Sequence, residues 1–169
     1  MEKKIICAIA GKNIEELGNG KSETYYKNVN IKFSIMEKVS ELIADGVTDF
    51  LCNAEYGFNL WAAEIILTLR DIRIQQGLSA VRLHIVQPYE EQASEWSDDI
   101  HERYYAVHEK SDSVLMLYTQ FCDDCYEKCD RFIIDKCDIL FTDDENAFAA
   151  QYAEIHDKPL YLFKELERI

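Results

Sequence analysis

Thr48-Asp49-Phe50-Leu51-Cys52-Asn53-Ala54-Glu55-Tyr56-Gly57-Phe58-Asn59-Leu60-Trp61-Ala62-Ala63-Glu64 is the stretch that decides the fold. Residues 48–52 form a short run that suits a buried strand. Residues 53–59 supply turn formers. From Leu60 the sequence predicts a helix to about Gln75, with Gly77 as its stop. A strand that passes through a short turn into a helix is the unit from which parallel sheets are built.

Outward from that unit the same alternation recurs. Residues 4–9 are a short apolar run rich in isoleucine, the mark of a strand buried on both faces. Residues 11–27 are polar and irregular. Ile35, Met36, Val39, Leu42 and Ile43 then fall on one helical stripe, which Gly46 ends. A third strand is predicted over 80–86, ended by Pro88, followed by a loop over 89–97. Asp98 and Asp99 suit the start of a helix running to about Glu109, because carboxylates favour that end of the dipole. Strands over 114–118, 139–142 and 160–163 alternate with helices over 123–136 and 146–155.

This order predicts one α/β domain over 1–169, a three-layer Rossmann-like sandwich with a mostly parallel central sheet and right-handed crossovers. In such sheets ligands bind outside the carboxyl ends of the strands, where the strand order reverses. The candidate loops are 11–13, 53–59, 87–92 and 143–146.

The bulk composition narrows the function classes. Hydrophobic residues make up 48% of the 169, which excludes a disordered chain. The net charge is -14, and the 18 basic residues are scattered. This argues against a nucleic-acid backbone as partner, which would need clustered Lys and Arg; the acidity reads as a solubility feature. No apolar run approaches about 18 residues, so no membrane span is expected. The apolar stretch 5–10 is too short for a signal peptide. The expectation is a cytoplasmic protein whose six cysteines are reduced thiols. Homo-oligomerisation stays open.

Several residues invite a functional reading beside a structural one. Gly57 and Asn59 precede a helix, so free N–H groups there could receive an anion; equally, Asn59 is a good N-cap and Gly57 a turn residue. Glu55 could hold a ribose hydroxyl or be a solvated turn charge. Gly11 and Lys12 follow the first strand, and Lys12 could meet a phosphate, although a lone Gly-Lys is not a P-loop. Tyr89 and Trp96 flank an acidic loop and could stack on a base or nicotinamide ring, or pack the loop onto the sheet. Glu64, three residues beyond Trp61 on a helix, is a weak catalytic candidate, since acid/base work needs a tuned pKa and a partner.

Cys122, Cys125, Cys129 and Cys137 have spacings that can reach a metal. Offsets of three and four also place Cys125 and Cys129 on one helix face that Phe132 and Ile133 continue, and small buried hydrophobes explain this stripe. No metal site is therefore assigned. The four His are dispersed, and neither a nucleophile elbow nor a zincin motif is present.

Three segments carry a family resemblance: Gly57-Phe58-Asn59-Leu60-Trp61-Ala62-Ala63-Glu64, then Pro88-Tyr89-Glu90-Glu91-Gln92 with Trp96, then Arg131-Phe132-Ile133-Ile134-Asp135-Lys136-Cys137-Asp138. In order and spacing the chain resembles the YpsA-type branch of the SLOG superfamily, the Rossmann-like group that also contains the DprA and LOG proteins. The resemblance implies a Rossmann-like sheet that binds a nucleotide or an NAD-derived or other nucleotide-derived ligand. The candidate ligand site, at the carboxyl-end loops, comprises Gly11, Lys12, Ala54, Glu55, Gly57, Asn59, Pro88, Tyr89 and Trp96.

The sequence departs from that family at three places. Asn53-Ala54 stands where the family usually has Ser-Gly. Asn59 stands where it usually has Glu. After the fifth strand, residues 143–148 contain no glycine where a glycine-rich turn is common. Fewer glycines and more carboxylates make a phosphate harder to hold. The LOG-type glycine-rich signature is absent, which speaks against phosphoribohydrolase chemistry. The expected function is recognition or sensing of a nucleotide-like small molecule. The alternatives are an enzyme that cleaves such a ligand, with Glu64 or Glu55 as acid/base, and a protein-interaction module with a degenerate pocket.

Overall fold

The computed structural model describes residues 3–163. Its six strands are β1 (Ile6–Ile9), β2 (Asp49–Cys52), β3 (Arg82–Tyr89), β4 (Ser113–Tyr118), β5 (Ile139–Thr142) and β6 (Leu160–Leu162). They form one sheet in the order β4-β3-β2-β1-β5-β6, and every pairing in it is parallel. Six helices connect them: α1 (Ile14–Leu17), α2 (Tyr26–Ala44), α3 (Phe58–Gln75), α4 (Asp98–Lys110), α5 (Cys125–Lys136) and α6 (Phe148–Ile155). This is the Rossmann-like sandwich expected from the alternation.

Strand periodicity builds the three layers. Cys7 and Ile9 of β1 join Phe50, Cys52, Leu83 and Ile85 in a core beneath α2, α3 and α4. The alternate residues Ala8 and Ala10 join Leu51, Val86 and Leu140 in a second core beneath α5 and α6. Phe58 is fully buried in the first core and packs edge-on against Phe141 and Phe163, with ring centroids 5.3 and 5.2 Å away.

Some boundaries differ from expectation. Proline does not end the third strand at residue 86: β3 runs through Pro88 to Tyr89. β4 pairs with β3 at Gln87 and Tyr89, the residues on either side of Pro88, so the proline needs no ladder bond of its own. The irregular segment 11–27 contains α1, closed by a capping box: the Asn13 side chain accepts from the Glu16 N–H (2.9 Å), and the Glu16 carboxylate accepts from the Asn13 N–H (3.1 Å). α2 begins at Tyr26, well before the stripe at Ile35.

One expectation about cysteine is corrected. Cys122 and Cys125 are joined by a disulfide, with Cα atoms 5.2 Å apart. The three-residue spacing where the chain turns into α5 brings the two Cβ atoms within bridging range. Cys7, Cys52, Cys129 and Cys137 are buried free thiols, and burial pushes the Cys52 thiol up to about 12.

Candidate functional site

The strand order runs outward in one direction from β1 to β4 and in the other through β5 and β6, so it reverses between β1 and β5. A cleft of about 450 Å³ opens there, at the carboxyl ends of the strands. Three of the four candidate loops meet in it: Gly11, Lys12 and Asn13 from the end of β1; Asn53, Glu55 and Asn59 from the β2–α3 turn; Asp143, Asp144 and Ala147 from the end of β5. α5 adds Tyr126 and Asp130, and α1 adds Glu16.

Amide side chains fix the floor. Asn59 is buried; its Oδ1 accepts from the Gly11 N–H (2.8 Å), and its Nδ2 donates to Asn53 Oδ1 (2.9 Å). The Glu55 N–H also donates to Asn53 Oδ1 (2.9 Å). On the far wall the Asp143 carboxylate accepts from the Lys12 N–H (3.2 and 3.3 Å). Gly11 admits no side chain, because a Cβ would lie 2.2 Å from the Phe58 ring.

Gly57 serves a different contact. Its φ is +127°, and a Cβ would lie 2.5 Å from the Ile14 backbone nitrogen. It pairs as an isolated bridge with Asn13 and does not line the cleft. The N–H of Phe58 donates to the Lys12 carbonyl (3.1 Å), so the start of α3 is tied to the β1 loop. Ala54 is fully buried with φ +56°, in the left-handed region that glycine occupies more cheaply.

The remaining candidates lie elsewhere. Tyr89 lines a neighbouring hollow with Glu90, Glu91 and Phe121, and packs edge-on against Phe121 and Tyr126. Pro88 is buried in β3. Trp96 packs against Tyr56 and Tyr104, with centroids 6.4 and 5.3 Å away. Glu64 sits on the α3–α4 surface, where both carboxylate oxygens accept from Arg103 (3.0 and 2.6 Å); Arg103 also reaches Glu23 (2.7 Å).

The cleft is acidic. Burial raises the Glu55 carboxyl to about 7; a hydrogen bond from Tyr126 opposes this, and the charge of Glu16 adds to it. Burial, then the neighbouring Glu55, Glu127 and Glu16 carboxylates, raise Asp130 to about 7. Burial also raises Asp143, against the Lys12 N–H that holds it down. Near neutral pH the Glu55 and Asp130 carboxyls are part protonated and can donate as well as accept. Asp130 and Tyr126 did not emerge from the sequence. Their four-residue offset on α5, one face away from the Cys125–Cys129 stripe, was the available signal. Among the described residues no group of three His, Cys, Asp or Glu side chains is placed to hold a metal ion.

A doubly wound parallel sheet with a ligand-sized cleft at its switch point defines a Rossmann-like domain. The chain belongs to the YpsA family (YspA SLOG family), which matches residues 7–159. It is similar to UPF0398 proteins: 25% identical to one from Macrococcus caseolyticus over 72% of this chain and 66% of the relative. A second, from Halalkalibacterium halodurans, is 29% identical over 64% and 54%, and one from Bacillus pumilus is 27% identical over 96% and 81%. The chain thus spans between about half and four fifths of the length of these relatives.

Among solved structures, the DNA processing protein A of Helicobacter pylori shares the fold, with TM-score 0.59 and 15% identity over 94% of this chain and 64% of that one. The DprA of Streptococcus pneumoniae gives 0.57 and 11%, over 93% and 49%. The Helicobacter protein is described by its single-stranded DNA binding mode. This overturns the expectation that acidity argues against nucleic acid. Net charge is a sum over the whole chain, whereas a strand is held by a local surface. No helix of the described residues is long and apolar enough to cross a membrane.

Proposed function

We propose that this protein binds a nucleotide or nucleotide-derived small molecule in the β1–β5 cleft and acts in the cytoplasm as a binding or sensing protein. The observation that carries the reading is the cleft itself, of about 450 Å³, at the point where the strand order reverses. Its lining favours the sugar and base over the phosphate. Glu55 and Asp130 offer acceptors to ribose hydroxyls or an exocyclic amine, while Lys12 at the mouth is the lining's one basic side chain.

A second reading draws on Glu55. A carboxyl near 7 in a cleft suits a general acid, so cleavage of the bound ligand is the enzymatic form of the same proposal. Single-stranded DNA is a third ligand to test, because the Helicobacter DprA shares the fold.

The experiment is a thermal-shift panel of nucleosides, AMP, ATP, NAD, ADP-ribose, cyclic nucleotides and a thymidine oligonucleotide, with and without Mg²⁺. A saturable rise with one small molecule is expected, because a ligand that binds only the folded state stabilises it by mass action. Ala147→Trp, which fills the cleft, should abolish it, and Ser94→Trp in the neighbouring hollow should not. A flat response to every small molecule at millimolar concentration overturns the reading. Turnover that Glu55→Gln removes while binding survives would establish the enzymatic form.

A further inference from the structure

Among the described residues the β4 edge of the sheet is largely exposed; only Leu117 packs against the second core, and Lys128 of α5 lies over the Tyr118 ring. In register, Val114 lies beside Ile85 of the first core, and Leu115 beside Val86 of the second. Among the described residues the two core layers therefore run out onto β4, most of whose side chains no helix covers. Val114, Leu115, Met116 and Tyr118 are 44%, 46%, 39% and 39% exposed, and Phe121 just beyond is 60% exposed. β4 is also the terminal strand of the sheet, so its outward N–H and C=O groups face away from the ladder. Exposed apolar edges are ordinarily guarded by Lys, Pro or a bulge. Residues 113–122 contain none of these and no charge at all. The two edges differ in burial: β6 is half-buried throughout, and its Tyr161 hydrogen-bonds to Glu41, whereas β4 is exposed along most of its length.

We propose that β4 is the interface of a two-fold homodimer, in which two β4 strands pair antiparallel and join the sheets of two copies into one. The charge distribution selects a second copy as occupant. A chain of net charge -14 repels itself over most of its surface, and the uncharged run 113–122 is where two copies approach at least cost. The patch is also self-complementary, as a two-fold interface requires: each copy brings apolar side chains on both faces and an open hydrogen-bonding edge. The five exposed apolar side chains, the paired backbones and their flanking residues together form the patch that has to supply the ~1,200 Å² at which specific interfaces begin. Because both open edges are consumed, the assembly closes at two.

The test is sedimentation equilibrium of the full chain from 1 to 200 µM. The expected mass is twice 19.7 kDa over most of that range. Leu115→Lys and Met116→Lys, on opposite faces of the strand, should each weaken association at least a hundredfold, since each change enters the interface twice. Tyr26→Lys, exposed on α2, should leave it unchanged. Amide exchange of residues 113–118 in the unsubstituted protein should slow as concentration rises, a readout that needs no variant to fold. A monomer at 200 µM overturns the proposal. So does a dimer that survives both β4 substitutions, or exchange at β4 that ignores concentration.

Discussion

Replacing Asp130 by Asn should stabilise the protein above neutral pH, and the size of the gain follows from the cleft. Asp130 titrates near 7 in the folded chain against 3.8 ordinarily, because burial and the Glu55, Glu127 and Glu16 carboxylates oppose its charge. The folded-state value lies above the unfolded one. The folded chain therefore keeps a proton that the unfolded chain has already released. This contribution to stability is complete below about pH 4 and is lost progressively as the pH rises through 7. The full shift would correspond to ~4 kcal/mol at 1.36 kcal/mol per pH unit. Only part of it falls above pH 5.5, the lowest convenient pH for a chain with pI near 4.6. The half-open cleft screens the remainder.

We therefore expect the advantage of Asp130→Asn over the natural chain to grow by ~1–2 kcal/mol between pH 5.5 and 8.5, or ~3–6 °C in Tm for a domain of this size. Circular dichroism melts at five pH values give the comparison directly. Removing the Asp130 charge should also lower the pH at which Glu55 titrates, because the two share one field. A Tm difference that is constant across the range would show that Asp130 keeps an ordinary pKa, and the electrostatic account of the cleft would fail with it.

Other perturbations test the frame around the cleft. Asp49 is buried in β2 and accepts from Arg82 (2.8 and 3.1 Å), His84 (2.8 Å) and Thr48 (2.7 Å); burial opposes its charge, but these partners hold its carboxyl well below the usual range. Asp49→Ala should cost ~2–4 kcal/mol in urea melts at pH 7, since it removes the buried acceptor that Arg82, His84 and Thr48 share. Gly57→Ala drives a methyl into the Ile14 backbone and should cost at least ~2 kcal/mol in the same assay; no loss would mean the 13–57 bridge is looser than described. Phe58→Ala opens a cavity between Phe141 and Phe163 and should cost ~3–5 kcal/mol. Glu64→Gln disturbs a half-exposed ion pair away from the cleft, so Tm should fall by no more than ~3 °C, with ligand response intact.

The fold was legible because period and punctuation agree along most of the chain. Buried strands announce themselves as short apolar runs, and the glycines at 46 and 77 end helices where expected. The failures have physical causes. α2 starts unmarked because its first buried position is the polar Asn28, while Tyr26 and Phe33 lie on the exposed side, so the apolar stripe begins only at Ile31. β3 runs through a proline because its neighbours carry the pairing. The disulfide was missed because the spacing of Cys122 and Cys125 reads equally as a helix stripe, and only the backbone's turn into α5 decides between them.

The cleft was legible by loop and in part by residue: Gly11, Lys12, Glu55 and Asn59 line it, whereas Tyr126 and Asp130 did not emerge. A strand order cannot be read from one sequence, so four carboxyl-end loops were equivalent candidates until β1 and β5 proved to be neighbours. That pairing admits Asp143 to the cleft and moves Tyr89 one hollow away. It also separates the glycines: Gly11 lines the cleft and Gly57 does not, and each is needed by a packing neighbour, Phe58 and Ile14. Ala54 makes the same point in reverse, holding φ +56° in the core without a glycine. The turn around the cleft is therefore kept by packing even where the sequence leaves the family pattern. The lining is acidic: Glu55, Asp130, Asp143 and Asp144 face a single Lys12. A lining of this charge disfavours phosphate, so if the proposed reading holds the neutral nucleosides in the panel should give the larger shift, and a response to ATP alone would refute the argument from charge.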